Sequence, residues 1–89
     1  MAVHAMLTVD LNRYATTEQR NRFYEELRTR KWAKIDALST TWKAVFGEFV
    51  SAESAMQETK LDLSAAATAA SISSYDAAAM FGGQAPLII

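Results

Sequence analysis

The chain contains no cysteine and one histidine, His4. The first absence excludes a disulfide scaffold and any thiolate metal site, and the second excludes most zinc arrangements. Glycine is scarce. Only Gly47, Gly82 and Gly83 are present, so no glycine-rich loop can cradle a phosphate. None of the serines sits in a Gly-x-Ser-x-Gly elbow, and a single histidine leaves few partners for a nucleophile–base pair. No apolar run approaches the ~20 residues that cross a bilayer. No basic-then-apolar stretch of the secretory type opens the chain. The expectation is a cytoplasmic, bacterial-type protein with no cofactor.

Bulky apolar residues are also few. Hydrophobic residues make up 51% of the 89, but 17 of them are alanine, and Leu, Ile, Val and Phe together number 19. That is near the lower edge for a self-folding chain. A net charge of −1 argues against wholesale disorder. So short a chain buries a smaller fraction of its surface than a larger domain does. With neither disulfide nor metal as a staple, it is expected to gain the missing burial by self-association, as a homodimer.

Residues 3–11 alternate, with Val3, Ala5, Leu7, Val9 and Leu11 on one side and His4, Met6, Thr8 and Asp10 on the other. This is the period of a strand with one buried face. Thr16-Thr17-Glu18-Gln19 reads as a capping box opening a helix to about Arg30. Its narrow stripe is Phe23, Tyr24 and Leu27, and Glu18/Arg22 and Glu26/Arg30 stand one turn apart in the favourable order. Lys31 to Ala37 is expected as a short second strand, Asp36 to Ser39 as a turn, and Thr40 to Phe49 as a third strand, with Trp42, Ala44 and Phe46 on one side. Gly47 marks a bulge or the strand's end. Ser51 caps a second helix running to about residue 70, with Met56, Leu63, Ala66, Ala67 and Ala70 as its inner stripe. Glu58 and Asp62 form an unfavourable pair on its exposed side. Ser74 to Phe81 is expected as a fourth strand, with Tyr75, Ala77, Ala79 and Phe81 on one side. Alanine is a poor strand former, and the rival reading continues the helix through Ala79.

The order β-α-β-β-α-β, with right-handed crossovers, places both helices on one face of a four-stranded antiparallel sheet. The fold class expected is α+β, a ferredoxin-like sandwich over residues 1–81, with the first and third strands central. Residues 82–89 form a tail ending in Leu87, Ile88 and Ile89, able to add to a sheet edge or to fray. The second face of the sheet stays bare within one chain. That face, or a sheet edge, is the expected dimer surface.

Charge is segregated. Residues 1–43 carry eight basic and five acidic side chains, whereas residues 44–89 carry Lys60 against five acids. This reads either as a phosphate-binding patch near the first helix or as a dipolar surface that orients docking between copies. Trp32 and Trp42 flank the hairpin beside Lys34 and Lys43. Such a layout can stack nucleobases or anchor a core or interface. The third strand lacks the glycine–aromatic spacing of the RNA-recognition motif. Asp10, at the end of the first strand, is the one residue with a chemical argument. Alone it binds a divalent cation weakly; two copies across a dimer axis would do better, and otherwise it is a solvated or loop-capping carboxylate. His4, lacking a second histidine or a cysteine nearby, reads as a surface or interface residue.

Two resemblances add to this. The Val9-Asp10-Leu11 strand end, the helix from Thr16 to Arg30, the Thr41-Trp42-Lys43 strand and Tyr75-Asp76-Ala77 together resemble small bacterial proteins with a minimal ferredoxin-like fold, and imply no activity. Over residues 5–30, Val9-Asp10-Leu11-Asn12-Arg13 is similar to the first-strand end of the CRISPR-associated spacer-integration family and of the virulence-associated protein D ribonucleases. Both are dimeric and ferredoxin-like, with an acid at this position facing its symmetry mate. That resemblance implies a metal-site or catalytic role for Asp10 and a phosphate contact for Arg13. The hairpin departs from the integration family in lacking its serine-valine-phenylalanine run.

The function expected is therefore that of a homodimeric interaction protein acting by binding rather than catalysis. The alternatives are a metal-dependent nuclease or ribonuclease built on paired Asp10, and an RNA-binding module using Trp32, Trp42, Lys34, Lys43 and Arg13.

Overall fold

The computed structural model describes residues 2–36, 38 and 40–85. Leu87, Ile88 and Ile89, singled out above, lie outside the described residues, as do Ala37 and Ser39 of the expected turn. Six elements follow one another: β1 (Val3–Leu11), α1 (Thr17–Arg30), β2 (Ala33–Lys34), β3 (Thr41–Phe46), α2 (Ala52–Ala70) and β4 (Tyr75–Gly82). All strand pairs are antiparallel, in the order β2-β3-β1-β4. Both helices cover one face, giving the ferredoxin-like βαββαβ sandwich with β1 and β3 at the centre.

β1 obeys its alternation. Ala5, Leu7 and Val9 are buried against Trp42, Ala44 and Phe46 of β3 and against Phe23, Leu27, Leu63 and Ala66 of the helices. α1 opens on the capping box as its residue types require: the Thr16 hydroxyl accepts from the Gln19 amide, and the Gln19 side chain accepts from the Thr16 amide. Glu18–Arg22 and Glu26–Arg30 pair along its outer side at 2.8 Å each.

β2 is shorter than its composition suggests. Lys31 is the C-cap of α1 and adopts φ 134°, and the Trp32 amide still donates back to the Leu27 carbonyl. The chain is leaving a helix at residues 31 and 32 and starts pairing only at Ala33. β3 likewise stops at Phe46, because Gly47 begins a turn closed by the Val50 amide on the Gly47 carbonyl.

α2 starts at the Ser51 cap, whose hydroxyl accepts from the Ser54 amide. Its inner face differs from the expected stripe. Met56 is exposed, and the buried set is Ala55, Thr59, Asp62, Leu63, Ala66, Ala67 and Ala70. The helix ends where Ser71 turns left-handed at φ 58°, with the Ile72 amide bonded to the Ala67 carbonyl. Ile72 then enters the core, which prevents the helix from continuing. β4 forms despite its alanines because β1 offers it an unbroken ladder from Gly82 to Tyr75. Aromatic residues pin its ends: Tyr75 lies 5.8 Å from Phe23 and Phe81 lies 6.5 Å from Phe46, centroid to centroid.

Asp62 explains the phase of α2. Its side chain is only 3% exposed, and it accepts from Lys31 Nζ at 2.7 Å and Arg30 Nη1 at 3.3 Å. Trp32 Nε1 donates to it at 3.0 Å. Lys31 also reaches Glu58 at 3.0 Å. The Glu58/Asp62 repulsion expected from sequence is thus bridged by a cation from another element. Arg30 is held above its ordinary pKa by its hydrogen bonds to Glu26 and then to Asp62, so it stays charged at any working pH.

This packing sets the cost of three substitutions. Leu7→Ala destabilises by about 2–5 kcal/mol, as truncation of a buried leucine does, measured by urea denaturation. Asp62→Ala costs about 2–3 kcal/mol through its lost charged hydrogen bonds. That is below the ~3–5 kcal/mol of a fully enclosed pair, because Lys31 and Arg30 keep access to water. Asp62→Asn, which retains an acceptor for the indole, costs less than Asp62→Ala in the same titration.

Candidate functional site

Among the described residues, no helix covers the second face of the sheet. Period-2 alternation puts His4, Met6, Thr8 and Asp10 of β1 on it, with Thr41, Lys43 and Val45 of β3, Ala33 of β2, and Asp76, Ala78 and Met80 of β4. The register orders them in rows. His4 lies between Val45 and Gly82, Met6 between Lys43 and Met80, and Thr8 between Thr41 and Ala78. Asp10 stands opposite Asp76. The exposed large apolar side chains of this face are Val45 at 57% and Met80 at 70%. Two shallow hollows flank His4. One of about 290 Å³ is lined by Ala33, Lys43 and Val45, and one of about 190 Å³ by Met6, Met80 and Gly82. The acids occupy one end of the face, and Lys43 and His4 lie toward the other.

Asp10 is exposed on this face, at the end of β1. Its cross-strand neighbour Asp76 was not legible, because residue spacing does not reveal which residue of a distant strand will oppose it. Two like charges directly opposite destabilise an antiparallel pair. Among the described residues, no group of three His, Cys, Asp or Glu is placed to hold a metal ion.

Arg13 lies in the turn after β1. Its Nη2 donates to the Tyr14 hydroxyl at 2.7 Å, and its guanidinium sits 4.8 Å from that ring's centroid. The turn is set by the Tyr14 amide donating to Asn12 Oδ1. Arg20, a residue that sequence reasoning passed over, holds the loop by donating to the Asn12 and Ala15 carbonyls. Arg22, Arg28 and Arg30 all have glutamate partners, so much of the basic half is neutralised on its own helix.

The remaining candidates are not gathered on one surface. Trp32 and Trp42 are 2% and 0% exposed and belong to the core between sheet and helices. Trp42 packs 5.4 Å from Tyr24 under the Arg28 guanidinium, and Trp32 lies edge-on to Phe46. Neither ring is offered to a nucleobase. Lys34 is opposite Trp42 and lies over Tyr24 on the helix side, while Lys43 is on the open face. Alternation makes this unavoidable once Trp42 points inward.

No protein-family model, curated protein or solved structure matches this chain. No described helix is long and apolar enough to cross a membrane.

Asp10→Asn removes the cross-strand repulsion and raises stability by about 0.2–1 kcal/mol, measured by urea denaturation at low salt. The gain shrinks in about 1 M NaCl, where the screening length falls to ~3 Å. A gain independent of salt would deny its electrostatic origin.

Proposed function

We propose that the chain is a homodimeric interaction protein that acts by binding rather than by catalysis. The observation that carries this reading is that, among the described residues, helices cover one face of the four-stranded sheet and not the other. The other face exposes Val45 and Met80 around Met6, Ala33 and Ala78, with Lys43 in the row of Met6 and the carboxylates Asp10 and Asp76 at one end. A contiguous apolar surface with a polar rim is what protein association uses, and segregated charge orients the encounter. The side chains with chemical potential do not converge. Asp10 faces another carboxylate, Arg13 faces Tyr14, and the two tryptophans are interior.

Light scattering coupled to size-exclusion chromatography tests this. The expected mass at micromolar concentration is twice the 9.8 kDa of one chain. A mass that stays at one chain overturns the homodimer. Mg²⁺- or Mn²⁺-dependent cleavage of RNA or DNA that disappears in Asp10→Ala overturns the non-catalytic half of the reading.

A further inference from the structure

We propose that the two copies join along β4, strand against strand and antiparallel, about a two-fold axis perpendicular to the sheet. The two four-stranded sheets then become one, with all helices on the same side and both open faces continuous. This rests on the homodimer reading above and specifies its interface.

The two edges of the sheet are unlike. β2 is two residues long and carries Lys34, so shortness and charge blunt it in the ways natural sheets use. β4 is eight residues long and, among the described residues, pairs with β1 alone, so one side of its backbone has no strand beside it along Tyr75–Gly82. It has no lysine, no proline and no bulge, and its one charge, Asp76, is near its start. Unprotected edges of this kind recruit another strand.

Among the described residues, nothing covers that edge. Ala77 and Ala79 point to the helix side yet are exposed, because they are too short to reach α2. Between strand and helix lies a mainly apolar hollow of about 250 Å³, whose lining includes Leu7, Met56, Leu63, Ala77, Ala79 and Phe81, with Thr59 and Lys60 of α2 also beside it. Met56, the residue expected inside and found exposed, stands at this hollow. Its flexible thioether suits a surface that repacks on contact.

The occupant is a second copy because β4 complements itself. With the axis at Ala79, Ala79 faces Ala79, Ala78 faces Met80, Ala77 faces Phe81 and Asp76 faces Gly82. A large side chain meets a small one on both sheet faces, and each Phe81 comes opposite the alanine that leaves the partner's hollow unfilled. The charges agree. The two Asp76 lie six residues apart along the shared ladder, about 20 Å at ~3.4 Å per residue, so no like charges meet. Moving the axis to Ala78 sets Met80 against Asp76 and Phe81 against Tyr75, which loses that match.

The chain has no native cysteine, so single-cysteine variants report position cleanly. Directly opposed strand residues have the Cα separation a disulfide needs. Ala79→Cys is expected to form an interchain disulfide under mild oxidation and run at twice the monomer mass on a non-reducing gel. Val45→Cys, on the open face, is expected to cross-link at least tenfold more slowly. Ala79→Lys sets two ammonium groups against each other at the axis and is expected to raise the dimer dissociation constant at least tenfold with an unchanged far-ultraviolet dichroism spectrum. A dimer that survives Ala79→Lys but dissociates in Val45→Lys overturns this interface and leaves the homodimer standing. A wild-type chain that is monomeric overturns both. Faster cross-linking by Val45→Cys than by Ala79→Cys also overturns the edge pairing.

Discussion

The Asp62 carboxylate organises one end of this fold. It lies on the inner face of α2, where a hydrophobic residue would be expected, and it gathers three consecutive residues, Arg30, Lys31 and Trp32, each through a side-chain nitrogen. Those three cover the end of α1, its cap and the approach to β2. A buried carboxylate without partners is costly, so α2 is stable in its observed phase only when these donors are present. The dependence runs the other way as well. Lys31 holds φ 134° without being glycine, a conformation that costs of order 1–3 kcal/mol and persists where surroundings over-determine it. Its ion pairs to Asp62 and Glu58 supply that determination. Trp32 is turned into the core by the same hydrogen bond, where it meets Phe46. One carboxylate therefore fixes where the first helix stops, how the second is rotated, and how the hairpin strand begins.

The second constraint is alanine. The inner face of α2 contributes Ala55, Ala66, Ala67 and Ala70 beside a single leucine, Leu63. Small side chains let the helix lie close, and Phe23, Leu27, Trp32 and Trp42 fill the space opposite. In β4 the same residue acts differently. Ala77 and Ala79 face the helix layer at the sheet's margin, where no large side chain compensates for their size, and the hollow beside α2 follows. The apolar volume of this chain is concentrated around β1 and β3 and thins toward β4.

Much of the fold was legible because its signals are local. The alternation of β1, the Thr16–Gln19 capping box, the Ser51 cap and the inward set Trp42, Ala44 and Phe46 depend only on neighbours in the chain. What was not legible depends on partners far away. Asp62 read as half of a repulsive exposed pair because its cations are some thirty residues earlier. The clue available was its place among Thr59, Leu63 and Ala66 at helical spacing. Spacing alone did not reveal Asp76 opposite Asp10, since that requires the register of the first strand against the last. The expected basic–aromatic surface had a simpler flaw. Lys34 and Lys43 cannot share a face when β2 pairs Lys34 with Trp42 and Ala33 with Lys43.

The uneven packing bears on where a chain of this size would associate. Burial in a small domain is limited by surface-to-volume geometry, and here the deficit is localised. The helix-covered face of β1 and β3 is closed, while among the described residues the margin at β4 has an unpaired backbone edge, an adjoining mainly apolar hollow and exposed methionines on both sides, Met56 and Met80. A hydrogen-bonding edge beside an apolar recess offers an incoming strand both directional pairing and burial. The open face offers burial without backbone pairing, and it carries two carboxylates at one end and Lys43 in the row of Met6. These differences give the two surfaces separate roles. The edge favours a partner of matched strand length and side-chain size, which a second copy supplies by symmetry. The face favours a partner of matched shape and charge, and pairing at the edge would lay two such faces side by side.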